Sequence, residues 1–152
     1  MKYKCKIIKR DAQSVLAVRT TSSAQNLPVA LGKNYGAIMQ YLGQLNEQTS
    51  GPPFVAYYNM DMQNLDIDIG IPVAKKIADK DEIKASEIPA GKYASCLYIG
   101  PYSGMAPTYE LLAKFVEDKG YESTGIAYEL YLDDPSVVPP EKLQTQILFP
   151  LK

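Results

Sequence analysis

Glu129 is the one acid in the apolar run Ile126-Ala127-Tyr128-Glu129-Leu130-Tyr131-Leu132, and tyrosines flank it on both sides. A carboxylate in that setting can do two kinds of chemistry. It can hold a cation against aromatic faces, or it can serve as a general base for water attacking an electrophile. Burying an acid in the centre of an apolar strand is costly unless the acid is hydrogen-bonded or paired. A functional role for Glu129 therefore ranks ahead of a structural ion pair with a residue such as Lys92 or Arg19. Histidine is absent, which removes the commonest general base and the commonest transition-metal ligand. A zinc site or a histidine-based triad is excluded on that ground, and no cofactor is expected. Cys5 and Cys96 fall on apolar strand patterns, and the expectation is that both are reduced and packed.

The elements that must position Glu129 are written twice. Laying Cys5 onto Ile83 (83 − 5 = 78) also lays Ala12 onto Ala90, Leu31 onto Tyr109, Ile38 onto Val116 and Ile71-Pro72-Val73 onto Phe149-Pro150-Leu151. Between those anchors a shift of 71 (127 − 56) places Ala56 over Ala127 and Tyr58 over Glu129. In the first copy, Lys4 to Lys9 reads as a strand continued by Val15 to Arg19. An amphipathic helix follows from Leu27 to about Gln48, with Leu31, Tyr35, Ile38, Leu42 and Leu45 on its apolar face and Gly51-Pro52-Pro53 after it. Phe54 to Met60 is a strand, and Leu65 to Val73 alternates as a half-buried strand should.

The second copy repeats the order, with strands at Glu82 to Ile88 and Lys92 to Ile99. Its helix carries Met105, Tyr109, Leu112 and Val116 on one face and stops at Lys119-Gly120; strands at Ile126 to Leu132 and Leu143 to Leu151 complete it. The fold class is α+β: two pseudo-symmetric β-α-β-β modules with a ligand cleft between them, forming a single domain over 1–152 with halves near 1–78 and 79–152.

One helix can cover one face of each sheet, so the more apolar alternate set should meet it. Ile126, Tyr128, Leu130 and Leu132 are then assigned to the helix side. Ala127, Glu129 and Tyr131 take the open face, with Ala56 and Tyr58 from the other copy and Asp66, Asp68, Gln144 and Gln146 from the last strands. The candidate ligand-binding set is Glu129, Tyr131, Ala127, Tyr58, Ala56, Tyr102 and Gln146. If the protein is an enzyme, Glu129 and Tyr58 are its catalytic candidates.

Composition narrows the partners. The chain has 152 residues, is 46% hydrophobic and carries a net charge of −1, so an ordinary core is available and there is no basic footprint for nucleic acid. No apolar run is long enough to span a bilayer, and Met1 to Lys6 lacks the hydrophobic block of a signal peptide. A cytoplasmic protein without membrane or direct nucleic-acid partners is expected.

Ala90-Gly91-Lys92-Tyr93-Ala94, then Gly100-Pro101-Tyr102, a helix, and Tyr128-Glu129-Leu130-Tyr131-Leu132-Asp133-Asp134-Pro135 together resemble the GyrI-like small-molecule-binding domain, also called the AraC-type effector-binding domain. The resemblance runs from about Lys2 to Lys152. It implies a duplicated, SHS2-like pair of β-α-β-β modules and matches Glu129 to the buried acid that multidrug-sensing regulators use for cationic aromatic compounds. It also implies two alternatives: hydrolysis of cyclopropane-containing electrophilic toxins by the same glutamate with an aromatic partner, or inhibition of a DNA topoisomerase through a protein-binding surface. No helix-turn-helix segment lies in these residues, so the expectation is a stand-alone binding protein for amphipathic or cationic aromatic small molecules. Trp is absent, so Tyr or Phe must supply the rings.

Overall fold

The computed structural model describes residues 4–152. In chain order its strands are β1 (Cys5–Arg10), β2 (Gln13–Ser22), β3 (Phe54–Tyr57), β4 (Leu65–Pro72), β5 (Lys84–Ile88), β6 (Gly91–Ile99), β7 (Ala127–Tyr131) and β8 (Gln144–Pro150). Two α-helices, α1 (Leu27–Leu45) and α2 (Ala106–Asp118), accompany them among the described residues, with short 3-10 turns at Tyr102–Gly104 and Pro140–Lys142. The class is thus mixed α and β. The chain forms two compact units, Asp11–Ala90 on one side and the residues up to Arg10 with Gly91–Lys152 on the other. This division differs from the halves of the sequence repeat because β1 takes its ladder partner from β6, Cys5 facing Cys96 and Arg10 facing Gly91.

In the Asp11–Ala90 unit the strands run antiparallel in the order β3-β4-β2-β5. Leu16 pairs with Ile71 and Val18 with Ile69, so one face is aliphatic. Helix α1 lays Tyr35, Ile38, Tyr41 and Leu42 on that face, and Ile77 and Ile83 close the cluster. The expected stripe is therefore present as far as Leu42, whereas Leu45 is exposed. The helix ends three residues before the expected Gln48 because Asn46 turns left-handed, with φ 57°, and its N–H donates to the Gly43 carbonyl. On the opposite face the Phe54 ring crosses Gly70 so closely that a Cβ there would lie 2.5 Å from the ring. Strand β3 is shorter than expected and stops at Tyr57.

In the other unit the order is β1-β6-β8-β7, again antiparallel. Helix α2 stops before Gly120, whose φ of 78° suits glycine. Thr108, Leu112 and Val116, each one turn apart, are its buried residues. Thr108 thus takes a place in the packed face where the sequence suggests Tyr109, and Tyr109 turns toward β7. None of the described helices is long and apolar enough to cross a membrane.

Candidate ligand-binding site

Residues two apart on a strand share a face, and β7 places Ala127, Glu129 and Tyr131 on one side. Glu129 is 9% exposed. The Tyr131 hydroxyl donates to its Oε1 at 2.8 Å, and the Tyr109 hydroxyl, reaching from α2, donates to its Oε2. Two phenols thus donate to the carboxylate, one to each oxygen. Arg19 forms a bidentate pair with Asp66, at 2.7 and 2.9 Å, and Lys92 sits over the Tyr121 ring. Around the acid the rings continue: Tyr102 lies against Tyr131 with centroids 5.3 Å apart, and Tyr109 lies against Phe149 at 5.6 Å.

The Tyr109 bond corrects the face assignment. Glu129 and its neighbours face α2, and Tyr128 and Leu130 take the other side, where the Tyr128 ring meets Tyr93 edge-on. The polar set looked like the outward one, but Ala127 to Leu130 are buried throughout, so β7 has no solvent face for alternation to reveal. Two tyrosine hydroxyls make the helix side tolerable for an acid.

The other candidates separate. Ala127 is buried beside Glu129 on the same face, and Tyr102, 40% exposed, supplies the outer ring of the cluster. Gln146 is on the opposite face of β8, where its amide donates to Ser95 at 3.1 Å. Ala56 and Tyr58 belong to the Asp11–Ala90 unit. There Tyr58 lies under the Arg19 guanidinium, 3.8 Å from the ring centroid, and burial, with Asp68 close by, holds its phenol above the usual range. The register also corrects the matching of Tyr58 to Glu129. Under the 78-residue shift Ile69 corresponds to Ile147; the partner of Ile69 is Val55 and that of Ile147 is Glu129. Val55, fully buried, holds the equivalent position. Tyr109 and Phe149 are the members of this cluster around Glu129 that sequence reasoning missed. Both sit on apolar stripes and read as core; the one available signal was that Tyr109 alone in its stripe carries a hydroxyl.

The electrostatics favour positive charge. Burial pushes the Tyr102 phenol above its usual range, and the nearby Asp133, Asp134 and Glu129 push it further. Negative potential therefore surrounds a partly exposed aromatic ring, which is an arrangement that attracts cations. Beside Tyr131 in the ladder, Thr145 is wholly buried and its hydroxyl has no hydrogen-bond partner. Among the described residues no group of three or more metal-ligating side chains occurs.

Residues 3–152 match the family described as the GyrI-like small molecule binding domain. The chain belongs to that family. Solved structures share the fold of this GyrI-like domain. The EcmrR C-terminal domain superimposes with a TM-score of 0.82 at 21% identity, covering 100% of this chain and 99% of that one. EcmrR in its DNA complex gives 0.86 at 21%, covering 99% of this chain; the GyrI-like domain spans 57% of that longer protein. SAV2435 bound to tetraphenylphosphonium gives 0.70 at 15% identity, with 100% and 94% covered. No curated protein matches the chain.

Proposed function

We propose that the protein binds amphipathic, cationic aromatic small molecules through Glu129 and the tyrosines around it. The observation that carries this reading is the Glu129 carboxylate, nearly buried and accepting hydrogen bonds from the Tyr109 and Tyr131 hydroxyls within a cluster of aromatic rings. A carboxylate among aromatic faces attracts an incoming cation, and rotation of either phenol would expose an oxygen. Tyr102 and Tyr131 offer faces for stacking, with Asp133 and Asp134 adding attraction at the outer ring. The solved complex of SAV2435 with tetraphenylphosphonium, on a shared fold, supports the ligand class. The reading narrows the expected site to Glu129, Tyr131, Ala127, Tyr102, Tyr109 and Phe149. We also infer that the two units descend from one module, since in each the strand before the helix lies between the second strand after the helix and a further strand, β2 between β4 and β5 and β6 between β8 and β1.

The hydrolase alternative would use the same carboxylate as general base, since one phenol hydrogen on each oxygen leaves further lone pairs to accept a proton from water. The test is a titration with tetraphenylphosphonium and with tetraphenylborate, its anionic counterpart of similar size. The cation should bind with roughly micromolar affinity, and Glu129→Gln should weaken it by about 10–100-fold, the equivalent of about 1.5–3 kcal/mol of charge attraction at short range. Equal binding of the two ions, or an unchanged affinity in the variant, refutes the assignment.

A further inference from the structure

Cys5 and Cys96 are direct partners in the ladder between β1 and β6. Directly opposed residues of antiparallel strands have Cα atoms about 4.5–5.5 Å apart, within the span that a disulfide bridges. Both cysteines are free thiols. Their settings differ. Cys96 is 1% exposed, whereas Cys5 is partly exposed and lines a groove of about 330 Å³ with Leu111, Lys114, Phe115 and Asp118. One thiol can thus be reached from solvent while the other waits behind it. Simple packing would be served equally by two apolar side chains, and β1 is the outermost strand of its unit, where a covalent tie to β6 would have the most to hold.

We propose that Cys5 and Cys96 form a thiol–disulfide redox site, in which Cys5 reacts first with a peroxide and Cys96 resolves it. The Cys5 thiol gives its proton to solvent and the thiolate attacks one peroxide oxygen; the S–O bond forms, the O–O bond breaks, and the hydroxide that leaves takes up that proton to become water. The Cys96 sulfur then attacks the Cys5 sulfur; the S–S bond forms, the S–O bond breaks, and the departing hydroxyl takes the Cys96 proton to become a second water. Two electrons pass from the thiols to the peroxide. Burial, with Cys5 beside it, pushes the Cys96 thiol up to about 12, so Cys96 does not compete as the first nucleophile. The proposal is independent of the ligand assigned to Glu129.

The test exposes the reduced protein to stoichiometric hydrogen peroxide, then counts thiols after unfolding and maps peptides by mass. The expected result is loss of both thiols, a mass lower by two hydrogens, a Cys5–Cys96 linked peptide and full recovery with dithiothreitol. Cys5→Ser, a change at the more exposed position, should form no intrachain link and retain the Cys96 thiol; Cys96→Ala should stop at sulfenic acid on Cys5 or couple between chains. Two thiols left intact, oxygen added to Cys5 of the wild-type protein with Cys96 still free, or a link only between chains would each overturn the proposal.

Discussion

Replacing Tyr109 by Phe removes one hydroxyl and little else, because the ring that packs against Phe149 remains. What is lost is a hydrogen bond from a phenol to the Glu129 carboxylate in a nearly buried setting. Hydrogen bonds to charged groups contribute about 1.5–3 kcal/mol, against about 0.5–1.5 for neutral pairs. Tyr109→Phe should therefore destabilise the protein by about 1.5–3 kcal/mol, a fall in melting temperature of roughly 4–10 °C for a chain of this size. In a Glu129→Gln background the same change removes a bond to a neutral amide, so its cost should drop to about 1 kcal/mol. The difference, a coupling of about 1–2 kcal/mol, is what a double-mutant cycle in urea measures. A coupling within about 0.3 kcal/mol of zero would mean that Tyr109 does not hold the carboxylate, and the argument for a phenol-caged acid would fail.

Two further outcomes follow from the Asp11–Ala90 unit. Gly70→Ala sets a methyl against the buried Phe54 ring, with the Leu16 carbonyl 3.1 Å away on another side, so equilibrium unfolding should show a loss of about 1–3 kcal/mol that Phe54→Leu partly restores. Burial holds the Asp68 carboxyl above its usual range, against the opposing pull of Arg19 and Tyr58, so its ionised form costs stability once the pH exceeds the folded value. Asp68→Asn should melt higher than the wild type at neutral pH, with the gap closing as the pH falls through the carboxyl range. A gap that does not change with pH would contradict that origin.

The sequence by itself determined most of the elements and singled out Glu129. Alternation in Leu65 to Pro72 and the four-and-three spacing of Leu31, Tyr35, Ile38 and Leu42 are local periodicities, and local backbone geometry turns them directly into a strand and a helix. Glu129 stood out because an acid in an apolar run is costly wherever the run is buried. Local pattern could not decide which side of β7 meets α2, since all but the last of its residues are buried and the alternation carries no contrast. Nor could it separate Tyr109 from core, because a tyrosine in an apolar stripe looks the same whether its hydroxyl is idle or bonded to a carboxylate 20 residues away. The pairing of Cys5 with Cys96 and of Glu129 with Ile147 is likewise a matter of register between strands distant in the chain. Register is fixed by the sheet as a whole, where a slip of one residue reverses every side chain, and so the tertiary structure alone decided which residues meet.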